Sequence, residues 1–168
     1  MSSMLAEKQW RLIPWNNLRS GNGGDARQVG DDLRMLLSAS AGADTGSYQR
    51  LENMVESQGH LFQCAPAVVS VIVAAVADGS IPANSLGASL DVLGRILAGY
   101  TDQSEVALGN ANLREQCHAE AMKGYWPLLR VASERDPFNA WQVAQAVLVA
   151  LDKAHSKRIL EPACQPAG

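Results

Sequence analysis

Apolar and polar positions alternate at helical spacing along most of the chain, and one stretch departs from that alternation. From Ala65 to Ala77 the only polar side chain is Ser70. An element that is apolar on every side must be covered on more than one, so this run is predicted to be the central core element. Its β-branched residues (Val68, Val69, Val71, Ile72, Val73, Val76) would also suit a buried strand. Length decides for helix, because Leu61 to Asp78 is too long for an ordinary strand. Pro66 is tolerated near a first turn, and Gly79 supplies the stop.

The remaining elements read as layers over it. Between Asp25 and Ser38, Val29, Leu33, Leu36 and Leu37 recur at helical spacing. Gly30 inside that pattern costs about 1 kcal/mol against Ala and is expected to mark a close helix crossing. A second helix, Ser47–Gln58, aligns Tyr48, Leu51 and Val55, with Gly59 in the left-handed position that ends a helix. Ala83–Ala98 carries Leu86, Leu90, Leu93 and Leu97 on one face and, after so short a link, folds back antiparallel. Asp102 and Glu105 have capping-box spacing at the head of a long helix, 104–123, with Leu113, Cys117 and Ala121 inward. Gly124 and Pro127 set off a short helix at 126–132. Asp136–Pro137 forms an N-cap and N1 pair for a last helix carrying Trp141, Ala144, Leu148 and Leu151.

Upstream, Pro14 and the Gly/Asn stretch 20–24 argue against a long helix, and Trp10 and Trp15 are expected to be pinned onto the first helices. The predicted organisation is an aromatic N-terminal segment (1–24), one all-α helical domain (25–155) and a flexible tail (156–168).

Composition narrows the class. A chain of 168 residues that is 47% apolar suits one globular domain. Its net charge of −3 gives no reason to expect nucleic acid as a partner. Three cysteines, Cys64, Cys117 and Cys164, make an odd set rather than a disulfide framework, which favours a reducing compartment. The N-terminus shows no apolar h-region and no small-residue cleavage site. Only Leu61–Ala77 approaches a membrane span; it falls short of the ~20 residues required and contains Gln63, Pro66 and Ser70. The expectation is a soluble cytoplasmic protein.

Candidate chemistry is sparse. His60 and Cys64 share a helix face, and Cys117–His118 can be imagined beside them as a zinc set, but the spacing matches no established pattern. Both cysteines fall on apolar stripes, where a free Cys behaves as a small hydrophobe. A nucleophile–base pair drawn from these cysteines and His60, His118 or His155 has nothing to fix its geometry. No G-x-S-x-G, P-loop or dinucleotide fingerprint occurs, and the Gly21–Gly24 run lacks a preceding strand. No metal, cofactor or catalytic residue is predicted. Asp31–Asp32 and Glu52–Glu56 form either an acidic face for a basic partner or an ordinary solvated helix face.

The helices group into pairs at about 25–58, 61–98 and 103–153, whose starts fall roughly 36–42 residues apart, near the ~40–47 of HEAT and armadillo repeats. The chain resembles bacterial HEAT-like proteins, short α-solenoids of stacked antiparallel helix pairs. The residues that carry the resemblance are Trp10 and Trp15, the run DDLRMLL, and RLENMVESQGHLFQCAPAVVSVIVAAVADG. Within the last run, Gln58–Gly59 ends a helix, and Leu61, Phe62 and Ala65 lead into an apolar helix ending in Asp-Gly. Roughly residues 33–97 are covered. The chain departs from the pattern at 20–24 and at Gly124–Pro127.

The resemblance implies a non-catalytic protein-binding scaffold, most concretely an immunity protein that binds and neutralises a cognate bacterial toxin. A general adaptor is the alternative; a DNA glycosylase of HEAT-like class is disfavoured by the charge balance. The implied partner is a protein, not nucleic acid or membrane, with the chain a monomer or weak homodimer. In solenoids the second helix of each pair commonly lines the binding face. That points to Glu52, Asn53 and Glu56 from one helix and Asp91 and Arg95 from the next. Tyr125 and Trp126, at the interrupted turn, are added as aromatic anchors.

Overall fold

The computed structural model describes residues 4–38 and 45–151. The expected tail, together with Cys164 and His155, lies outside the described residues. Among those described are nine α-helices and a small three-stranded sheet. The helical class is as expected; the sheet is an addition.

The central element is α4, Ala65–Asp78, with Pro66 in its first turn. Gly79 adopts the left-handed conformation (φ 63°), and the next amide, of Ser80, reaches back to the Ala75 carbonyl at 3.3 Å. This is the Schellman closure that a glycine at C′ permits. Val68, Val69, Val71, Ile72 and Val76 are all buried, each burial worth about 1.5–3 kcal/mol. The helix is covered on several sides, most extensively by α1 (Met4–Leu12) and α7 (Leu113–Met122), and also by α2 (Arg27–Ser38), α5 (Ala83–Ala98) and α8 (Tyr125–Ser133).

The helix α1 was not expected. It stops before Pro14 and runs antiparallel to α4, since Leu5 N donates to Asp78 at 2.7 Å and Gln9 Nε2 to Ser70 Oγ at 3.1 Å. Its residues are good helix formers, and Glu7 and Arg11 pair one turn apart at 2.9 Å, but nine residues are too few to hold a helix alone; burial of Ala6 on the apolar face of α4 stabilises it. The two tryptophans are pinned as expected. Trp10 Nε1 donates to the Gly30 carbonyl at 2.8 Å, and Trp15 is 6% exposed. Gly30 does mark a close approach, but of the Trp15 ring: a Cβ there would sit 2.9 Å from it.

The second predicted helix is α3 (Thr45–Val55), which ends three residues early. Gln58 (φ 52°) and Gly59 (φ 87°) form the tip of a hairpin between β1 (Glu56–Ser57) and β2 (His60–Leu61). Two consecutive positive-φ residues match the twist of paired strands, so Gly59 ends a turn and not a helix. Parallel to β2 lies β3, Tyr100–Thr101.

The expected helix 104–123 is broken into α6 (Gln103–Ala107) and α7 at Gly109, which has φ 92°. Asp102 caps α6 through Ser104 N at 2.8 Å, but Glu105 does not complete the capping box; it turns inward. Finally, α9 (Ala140–Leu151) starts after Asn139, itself at φ 59°, and not at Pro137. Asp136 instead holds the amides of Phe138 and Trp141 at 2.8 and 3.2 Å. The pairs α2/α3 and α8/α9 pack closely within themselves, whereas α5 packs most extensively on α9.

Candidate interaction surface

Two helices bring the expected surface residues together. Tyr48 and Glu52 lie one turn apart on α3, and Asp91 and Arg95 one turn apart on α5, so each pair shares a helix face. Arg95 bridges them: Nη1 meets Glu52 Oε1 at 2.5 Å and Nε meets Asp91 Oδ2 at 3.2 Å. The Tyr48 hydroxyl donates to Asp91 Oδ2. Burial, and then this hydrogen bond to a carboxylate, push the Tyr48 phenol up to about 12. It is a neutral donor at physiological pH. Arg95 is 46% exposed and Glu52 31%, so the cluster is reachable from solvent.

Asn53 is exposed beside it, with its amide turned to the Gln49 carbonyl at 2.9 Å. Glu56 does not join the face. It belongs to β1, is buried, and accepts from the Gly59 amide, holding the hairpin tip. Tyr125 and Trp126 are separated from the cluster on α8, which rests mainly on α9 and α4. Tyr125 is buried, whereas Trp126 is 72% exposed and meets the Tyr125 ring edge-to-face at 6.1 Å.

The acidic pair Asp31–Asp32 is also divided. Asp31 is exposed, but Asp32 is fully buried and accepts from Arg50 at 2.7–3.0 Å through both carboxylate oxygens. It ties α2 to α3 and presents no charge to a partner.

Sequence reasoning missed a buried carboxylate with three partners. The Glu105 carboxylate lies inside, 2% exposed, and binds Arg19 Nη2 at 2.6 Å and Nε at 3.3 Å. It also accepts from Asn110 Nδ2 at 2.8 Å and from the Gln63 amide at 3.4 Å. Burial alone would raise its pKa; the bonds from Arg19 and Asn110 outweigh this and hold it below the usual carboxylate value. Arg19 is gripped through its backbone as well, its N donating to Gln63 Oε1 at 3.0 Å and its carbonyl accepting from Cys64 N at 3.1 Å. Eighty-six positions separate the ion pair, and no local pattern foretells it. Beside it runs a groove of about 340 Å³ between α1, the head of α4 and α7.

Cys64 and Cys117 are buried, and burial pushes both thiols up to about 12, leaving them protonated and unreactive. His118 turns to the Leu97 carbonyl at 2.9 Å, and His60 to Asp102 at 3.4 Å. Among the described residues no group of three His, Cys, Asp or Glu side chains is arranged to hold a metal ion, and no helix is long and apolar enough to cross a membrane.

Comparison of the chain with protein-family models, with curated proteins and with solved structures returns no match.

Proposed function

We propose that this chain is a non-catalytic protein-binding module built as a short stack of helix pairs, most concretely an immunity protein that occludes a cognate toxin. The observation that carries the reading is Trp126. A tryptophan 72% exposed, steadied by its contact with Tyr125, is the side chain that most often anchors a protein interface. Close packing within α2/α3 supports one of the expected helix pairs, whereas α4 and α5, the expected central pair, pack lightly and α5 rests mainly on α9. The Glu52–Arg95–Asp91 cluster adds both signs of charge on a second face, suited to orienting a partner more than to binding it tightly. The two described cysteines, protonated and buried, serve packing in this reading.

The test is capture with a tagged full-length chain from source-cell lysate, followed by a high-salt wash and mass spectrometry. One stoichiometric partner, toxic when expressed alone and harmless when co-expressed with this chain, is the expected result. Several weakly held partners, with no effect on survival, would replace immunity by a general adaptor role.

A further inference from the structure

Arg11, Arg19, Arg27, Arg34, Arg50 and Arg95 each meet a carboxylate. Arg114 meets none among the described residues. It lies over the Tyr100 ring instead, with its guanidinium carbon 4.8 Å from the ring centre. Its own helix brings no acid to it, since the residues three and four positions away are Asn110, Ala111, Cys117 and His118. Nor does the helix account for the cation: Arg114 stands in the first turn of α7, where the macrodipole opposes positive charge.

The Tyr100 ring belongs to the exposed face of the small sheet. Parallel pairing sets Tyr100 opposite His60 and Thr101 opposite Leu61, and successive residues of a strand point to opposite faces. His60 and Tyr100 therefore share one face, where both are exposed, while the buried Leu61 marks the other. Asp102, two residues beyond Tyr100, returns to the exposed face and reaches His60 Nδ1 at 3.4 Å. That carboxylate is already committed, Oδ2 to His60 and Oδ1 to the Ser104 amide at 2.8 Å. Contact with the Tyr100 ring thus restrains the Arg114 guanidinium without neutralising it.

We infer that Arg114, held by Tyr100, receives a carboxylate side chain of a partner protein on this face. A guanidinium binds a carboxylate through two parallel N–H···O bonds, a planar match that an ammonium cannot make. Arginine and tyrosine are also enriched at the energetic centres of protein interfaces. A nucleic-acid backbone fits less well, because it needs several cations and this face sets Asp102 alongside a single arginine. The inference rests on the protein-binding reading above and names the group that the partner brings to this face.

The test is an NMR titration of the ¹⁵N-labelled full chain with N-acetyl-glutamate-N-methylamide, which carries one side-chain carboxylate between two neutral peptide groups. N-acetyl-glutamine-N-methylamide is its uncharged counterpart, and inorganic phosphate tests the other anion. Saturable shifts of the Arg114 Nε–H and of the Tyr100 and Thr101 backbone amides are expected with the glutamate compound and not with the glutamine one. Arg135 is the internal control. It lies over Trp141 at the same 4.8 Å but stands between Glu134 and Asp136 in the chain, and its Nε–H signal should stay in place. Arg114→Lys keeps the charge and loses the fork, so affinity should fall about tenfold. Tyr100→Leu removes the ring and should also weaken binding, while far-ultraviolet circular dichroism stays native.

Equal shifts with the glutamine compound, or equal shifts of Arg114 and Arg135, overturn the inference. So do tighter binding of phosphate than of glutamate, undiminished affinity in Arg114→Lys, and an absence of saturable shifts in the folded wild-type chain. If Arg114→Glu captures the lysate partner as well as wild type does, the binding-module reading stands and the Arg114 site fails. If the glutamate compound binds as described but no partner is captured, the module reading fails alone.

Discussion

Two regions of the molecule use the same chemistry, a carboxylate against an arginine distant in the chain, to opposite effect. On the α3/α5 face, Glu52 and Arg95 are about one-third and one-half exposed. In the N-terminal segment, where Arg19 and the Trp15 ring hold the chain against Glu105 and Gly30 (a clamp), Glu105 is 2% exposed against an arginine 86 positions away. Water already solvates the first pair in the unfolded and folded states alike, so its contribution is small and screened by salt. The second pair holds a carboxylate that is itself shielded from water, so losing the arginine removes its main compensation. The comparison teaches that the surface cluster is available for recognition while the clamp is committed to the fold.

Removing Arg19 gives the largest expected effect. Arg19→Ala should destabilise the fold more than loss of any surface pair, since it leaves the Glu105 carboxylate without its cation, and a thermal or urea melt reads this directly. A loss below about 1 kcal/mol would place the clamp with the surface pairs. The pH dependence carries the same distinction. Glu105 is depressed in the folded state. Its contribution is therefore fully present above the unfolded carboxylate pKa and is lost as the pH falls through the lower, folded value. Wild type should lose stability across that acid window, and Arg19→Ala should lose less there, because its stranded carboxyl gains from protonation.

Gly30→Ala tests the aromatic half of the same clamp. The added methyl would fall 2.9 Å from the Trp15 ring, and the indole is buried, so a cost of about 1–3 kcal/mol is expected despite the better helix propensity of Ala. Gly87→Ala in α5 is the control. A Cβ there meets nothing within 4 Å, so the same change should stabilise by up to about 1 kcal/mol.

On the other face, Arg95→Ala should cost no more than about 1 kcal/mol, and the difference from wild type should shrink in high salt. The smallest effect on folding belongs to Trp126→Ala, within about 0.5 kcal/mol because most of the ring is already in water. Binding to the captured partner should nevertheless weaken by at least about tenfold, measured by calorimetry on the same sample. An unchanged affinity would remove Trp126 from the interface.

Legibility followed the range of the forces involved. The sequence alone determined that α4 is the core, because an element apolar on every side has no stable place except inside. It also determined α5, the left-handed stop at Gly79 and the cap at Asp102, all set by residues within a turn of the feature they control. The surface set was half legible: Glu52, Asp91 and Arg95 meet, because each helix face follows from its own periodicity.

What only the tertiary structure decided depends on contacts between residues far apart in the chain. Asp32 looked like part of an acidic face until α3 placed Arg50 against it. Glu105 looked like a capping residue until Arg19 drew it inward and the helix behind it broke at Gly109. The residues of α1 favour a helix, but a segment of nine residues is too short to stay helical without the apolar flank of α4. Each of these rests on burial, which changes the strength of a charge or a weak helix severalfold, and burial is a property of the assembled chain rather than of any stretch of it.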